Sequence, residues 1–156
     1  MKHLLNTDVY SIHSMSEEDI RRVEKLEQFS FDGPQLEIET THTLHGGLYA
    51  RTVFLPKCTL ITGALIKIET VLILAGYLCF YKSDTPSYYR GYHVLPAGKN
   101  RKSAVIALED SHMTMLFPTS ASSVTEAEQE FTDEHEALMT NRHPETHKTG
   151  DTPCLD

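Results

Sequence analysis

The chain has 156 residues, 40% of them apolar, and a formal net charge of −8. That length suits one domain with a substantial core, no apolar run approaches the 18 residues of a membrane-spanning helix, and the negative total argues against general affinity for nucleic-acid polymers. Residues 1–47, 48–102 and 103–156 carry about −5, +6 and −9, so a basic middle lies between two acidic flanks.

Residues 1–13 are mixed in character and are expected to be weakly ordered. They hold no charged start followed by an apolar stretch and a cleavage site, so no signal peptide is expected. Cys58, Cys79 and Cys154 are an odd number without paired spacing, which points to reduced thiols in a cytoplasmic protein and not to a disulfide framework.

Ser16 is suited to cap a helix, because Glu17, Glu18 and Asp19 fill the first turn, where the helix dipole favours carboxylates. Ile20, Val23 and Leu26 then recur at helical spacing, giving one amphipathic helix over about residues 17–28. Its apolar stripe is narrow, as in a helix that covers a barrel end or a partner subunit. Asp32-Gly33-Pro34 is a turn signal that closes this arm of residues 1–35.

From Leu36 to His45, apolar and polar residues alternate with the period of a half-buried strand, and Gly46-Gly47 breaks it. Further strands are expected over residues 48–55, 60–65, 70–74, 77–81, 88–94, 103–108 and 113–117. Turn chemistry separates them at Pro56, Ala75-Gly76, Ser83 to Pro86, Pro96-Ala97-Gly98 and Glu109 to Ser111. Eight short strands without an intervening helix predict a mainly β fold, a small antiparallel β-barrel or jelly roll over residues 36–118, with an N-terminal and a C-terminal α-helix. The second helix lies within residues 119–140, where Ser123-Val124-Thr125-Glu126 fits a capping box and Val124, Ala127, Phe131 and Leu138 form the stripe. Residues 141–156 have almost nothing to bury and are expected to be disordered.

Two blocks carry a resemblance. In residues 56–76 a glycine-containing turn at Gly63 precedes Glu69, six residues and Gly76. In residues 91–101 Gly91 leads to Pro96-Ala97-Gly98 and on to Arg101. The first resembles the first cupin motif, a turn followed by paired histidines, a glutamate, six residues and a glycine. The second resembles the second cupin motif, a glycine, proline-x-glycine and a histidine, with one residue fewer between Gly91 and Pro96. A short cupin with acidic helical flanks also resembles small cupin-like proteins of tailed phages and prophages.

The resemblance implies a metal site that the residues do not supply. Cupin metals need two or three neutral imidazoles and a carboxylate on one ion, but the paired histidine positions fall at Gly63 and Leu65. The histidine of the second motif falls at Arg101, a permanent cation. Neither metal nor cofactor is expected. If Glu69 and Arg101 point inward as their counterparts do, a carboxylate and a guanidinium face each other, and an ion pair between them is predicted; otherwise both sit at the rim in water.

His42 and His45, three apart on a strand, face opposite ways and are not expected to share an ion. His93 is either a satisfied strand histidine or, as in metal-free cupin epimerases, a general base, which needs an orienting carboxylate. Tyr77, Tyr81, Tyr88, Tyr89 and Tyr92 cluster with Phe80 beside Arg90, Lys99, Arg101 and Lys102. They are either ordinary strand formers or the stacking faces and cations of a site for an anionic, nucleotide-derived ligand. The favoured reading is a metal-free binding protein without catalysis. Its candidate ligand residues are Arg101, Glu69, Lys67, Arg90, Tyr92, His93, Lys99 and Tyr77, and its partners are a small anionic molecule and further copies of itself, not a membrane or a nucleic-acid polymer. In the phage setting it sequesters a host signal. The rival reading is a structural or interaction protein whose barrel is filled by its own side chains. Lys67, Arg90, Lys99, Arg101 and Lys102 are either simply a solvated face or, as a further reading, the surface on which the acidic helices of the same or a neighbouring subunit lie.

Overall fold

The computed structural model describes residues 10–81 and 83–138, and the backbone of 147–149. Helix α1 spans Glu17–Phe31. The strands are β1 (Thr40–His45), β2 (Leu48–Leu55), β3 (Leu60–Thr62), β4 (Thr70–Tyr81), β5 (Ser87–Ala97), β6 (Ala104–Ala107) and β7 (Ser111–Pro118), followed by α2 (Val124–Phe131), one 3-10 turn at His135–Ala137, and β8 (His147–Thr149). One curled sheet runs in the order β3-β6-β4-β7-β2-β1-β8, with β5 on the other edge of β4. All pairings are antiparallel except β1 with β8. This is the mainly β fold, a curled and almost wholly antiparallel sheet with a helix on each flank, that the strand pattern predicts.

Both helix starts follow the expected chemistry. The Ser16 side chain accepts from the Asp19 amide at 3.1 Å, and the Ser123 side chain accepts from the Glu126 amide at 3.2 Å. Glu126 reaches back to the Ser122 amide at 2.9 Å, one residue before the position of an ideal capping box. α1 runs three residues past its expected end. α2 is shorter than expected, stopping at Phe131, and Leu138 follows the 3-10 turn. The β1–β2 hairpin turns on Gly46 and Gly47, both at positive φ, the backbone that a two-residue primed turn demands.

Three expectations are corrected. Tyr10 to His13 are ordered: the Ile12 amide donates to Pro96 O at 2.9 Å, Gly98 N donates to Ile12 O at 2.7 Å, and Ile12 belongs to the core. β5 therefore continues through Pro96, which lacks an amide and sits where β5 is an edge strand. Second, the expected disordered tail contributes β8, parallel to β1; its other residues lie outside the described ones. Third, Ala75-Gly76 is not a turn, and residues 70–81 form one strand.

At Gly76 the strand changes neighbours. Val71 to Ala75 pair with β7, whereas Leu78 to Tyr81 pair with β6. Gly76 has φ +132, and a Cβ there would lie 2.2 Å from Ser111 Oγ, which itself accepts from the Tyr77 amide at 3.0 Å. A glycine is needed for this close crossing, and not for a reversal of the chain. Gly76→Ala is expected to destabilise the fold by about 1–3 kcal/mol in urea unfolding, with an unchanged m-value; an unchanged midpoint would show that the crossing is not tight.

Candidate functional site

Arg101 follows a left-handed Asn100, and its backbone forms a two-way bridge with Ile66, N–H to carbonyl at 2.9 and 3.3 Å. The N-terminal strap fixes the same loop, with Met15 N donating to Asn100 O at 2.9 Å. The side chain is directed into the barrel and the residue is 3% exposed. Its Nη2 donates to Thr70 Oγ1 at 2.7 Å and approaches the Met115 sulfur at 3.8 Å. Its Nη1 donates to Gly98 O and, at 3.4 Å, to Ile68 O. All four acceptors are neutral, and among the described residues no carboxylate forms an ion pair with it. Burial lowers the Arg101 guanidinium to about 10, so it remains a cation at neutral pH.

The other inward cations are matched by the acidic flanks. Arg51 on β2 meets Glu128 on α2 at 3.1 Å, both largely shielded. Lys102, only 1% exposed, lies between Glu27 of α1 at 3.2 Å and Glu134 at 3.1 Å. Glu134 also accepts from the Leu65 amide at 2.6 Å, and Glu27 accepts from the Thr62 hydroxyl at 3.0 Å. Lys67 pairs with Asp133 at 2.6 Å in solvent, and Arg22 of α1 pairs with Asp84 beyond β4. The acidic flanks thus lie on the basic barrel of their own chain.

α1 and the segment after α2 meet across one end of the sheet, above a cavity of about 780 Å³. Arg101, Arg51, Thr40, Leu72, Phe80 and Met115 are among its inner wall, and Glu27, Phe29, Leu60 and Glu134 are part of its mouth. The volume falls in the range of small-molecule sites, which combine an apolar wall with few polar groups. The barrel is not filled by its own side chains.

Of the eight predicted ligand residues, only Arg101 lines this cavity. Glu69 is exposed and does not pair with Arg101, because Thr70 next to it takes the inward position and strand alternation turns Glu69 out. Lys67 is held outside by Asp133. Arg90 pairs with Glu109 at 3.1 Å and lies over the Tyr77 ring at 4.9 Å, on the outer surface. Tyr92 and Lys99 are exposed. His93 Nε2 bonds Arg90 O at 2.8 Å and its ring meets Tyr89 edge-on; among the described residues no carboxylate is seen to orient it as an epimerase base would need. His42 is buried on Tyr49, Nδ1 to Oη at 2.8 Å, while His45 faces out. Burial pushes the Tyr49 hydroxyl up to about 12. Among the described residues no three His, Cys, Asp or Glu side chains gather as a metal would need.

The wall residues that sequence reasoning missed include Arg51, Thr40 and Met115. Arg51 sits on a strand that alternates only weakly, so its inward direction carries no clear signal. Lys102, read as one of a basic cluster, is instead the buried tie between both flanks.

No protein-family model and no curated protein matches the chain. Similar solved structures include a cupin-2 domain protein from Shewanella frigidimarina, at 13% identity and TM-score 0.41, covering 60% of this chain and 91% of that one. A cupin superfamily protein from Desulfitobacterium hafniense has 10% identity and TM-score 0.45, covering 56% and 83%. An RmlC-like cupin family protein with a double-stranded β-helix fold from Methanocaldococcus jannaschii has 11% identity and TM-score 0.45, covering 56% and 85%. What the site does is argued from this chain's own residues.

Two outcomes follow from the charge arrangement. Glu128→Gln leaves Arg51 as a shielded charge without its carboxylate, and is expected to cost about 3 kcal/mol in denaturant unfolding; a loss under about 1 kcal/mol would assign the pair to the solvent-screened class. Arg101→Met is expected to unfold at the same or higher denaturant than the natural chain near pH 7, since it removes a buried charge that no carboxylate offsets. Burial holds the folded Arg101 guanidinium below the usual arginine range, at about 10, whereas the unfolded chain leaves it in that range. The natural chain therefore gains stability relative to the variant as pH rises through 10, and the gap between their midpoints narrows; a gap independent of pH from 8 to 11 contradicts this.

Proposed function

We propose that the chain is a binding protein which holds a small anionic molecule in the barrel cavity, anchored on Arg101, without transforming it. The observation that carries this reading is the buried Arg101 guanidinium. It lines an open cavity, keeps its charge, and has neutral acceptors only. A charge removed from water is costly unless a counter-charge reaches it, and an anion in the cavity supplies one through charge-assisted hydrogen bonds. Arg51, held by Glu128, shapes the wall instead of competing for the ligand, and Lys102 is tied to Glu27 and Glu134. In the setting that the phage-type resemblance implies, such a protein withdraws a host molecule from circulation.

Native mass spectrometry of protein purified from its host is expected to show a small retained mass on the natural chain that is absent from Arg101→Met, with both folded by circular dichroism. The same retained mass on both, or none on either, contradicts the reading.

Self-association is part of the same proposal, on a different surface. Among the described residues β5 pairs with β4 along its length and, at its end alone, with the Ile12 strap, and one face exposes Tyr88, Tyr92 and Val94, an apolar row on a largely open edge strand. Multi-angle light scattering is expected to give a multimer for the natural chain and a monomer for the double variant Tyr92→Glu, Val94→Glu; a natural chain that is already monomeric contradicts it.

A further inference from the structure

The binding reading leaves the class of anion open, and three features of the cavity narrow it. The first is charge. Arg51 is neutralised by Glu128, and Lys102 is shared by Glu27 and Glu134, so Arg101 is the one wall cation that lacks a carboxylate among the described residues. One unmatched positive charge is balanced by one negative charge. A phosphomonoester brings about −1.5 to −2 at neutral pH, which would bury excess charge. Glu27, Asp32 and Glu134 also line the cavity, and they oppose the entry of polyanions.

The second feature is the wall. Leu72, Phe80, Ile66, Val53, Met113 and Met115 face the cavity around Arg101, and among the described residues the tyrosines that a flat nucleobase would stack on do not line it. The third is the mouth. Phe29 is 78% exposed, Leu36 51%, Phe31 49% and Leu60 40%, and all four line the cavity. Large apolar side chains gathered at the entrance of a cavity extend its apolar wall outward. Exposed apolar groups of this kind mark ligand grooves more often than chance surface.

We infer that the ligand is an amphipathic monocarboxylate, its carboxylate on Arg101 and its apolar body along the wall toward Phe29 and Leu36. This rests on the anion-binding reading above and specifies it. Nη1 and Nη2 each make one long contact, to Ile68 O at 3.4 Å and to the Met115 sulfur at 3.8 Å, and a carboxylate's two oxygens would replace these with charge-assisted bonds while Gly98 O and Thr70 Oγ1 keep the guanidinium oriented.

Calorimetric titration of the full chain with hexanoate, octanoate and decanoate, below their micellar range, tests the class. Binding is expected to tighten by about fourfold per methylene, to be lost by more than tenfold with decanol, which has the body without the charge, and to be lost similarly in Arg101→Met. The exposed double variant Phe29→Ser, Leu36→Ser, which leaves the core intact, is expected to weaken decanoate several-fold while Arg101 dependence persists. Arg101-dependent binding of adenosine monophosphate or citrate with none of decanoate overturns the monocarboxylate and leaves the anion reading standing. Equal binding of decanoate and decanol, or decanoate binding unchanged in Arg101→Met, overturns the inference as nonspecific apolar uptake. Failure of every anion in the natural chain overturns both readings.

Discussion

The arrangement depends on how its acidic ends meet its basic middle. Lys102 is the clearest case: a fully buried ammonium reached by Glu27 from α1 and Glu134 from the segment after α2. Among the described residues it is the one charged tie that the two flanks share across the end of the sheet. Because Glu134 also takes the Leu65 amide, and Lys67 N donates to Phe131 O at 2.9 Å, the same contacts pin the C-terminal segment to the connection between β3 and β4. Arg51 with Glu128 repeats the pattern between β2 and α2. Shielded pairs of this kind add little net stability over apolar packing, but they penalise any arrangement that separates the partners. The charge asymmetry along the chain is thus a means of positioning two helices.

Against this background Arg101 stands apart. Its loop is held by Ile66 on one side and by the N-terminal strap on the other, and its guanidinium is oriented by Thr70, Gly98 and Ile68. A side chain so fixed has already lost its rotamer freedom, so a ligand that binds it meets little further ordering cost. The neutral contacts orient the cation without quenching it.

Much of the fold was legible. Alternation from Thr40 to His45, the glycine pair of the first hairpin, and the serine caps of both helices are local signals, and the local structure follows them. The misreadings came from contacts distant in sequence. Gly76 reads as a turn because glycine breaks strands, yet its cause is the approach of Ser111, 35 positions later, which only the folded sheet reveals. Pro96 reads as a stop, but the strap around Ile12 makes its position compatible with an edge strand. In the site, the inward direction of Arg101 was readable from the cupin-like spacing. The Glu69 partner was not, because one residue of strand alternation decides which side it takes. The tyrosines illustrate the same limit: strand propensity and a ligand face give the same composition, and only which face of β4 and β5 each occupies separates them.

The account's central claim is that the Arg101 guanidinium receives an anion. The arginine side-chain region of a 15N–1H correlation spectrum tests this at the atom concerned, with the Arg101 resonance assigned by its absence from Arg101→Met. On addition of decanoate that Nε–Hε signal is expected to shift and saturate, while the signals of exposed Arg21 and Arg90 stay in place. An Arg101 signal that does not move while the ligand binds elsewhere would contradict the account.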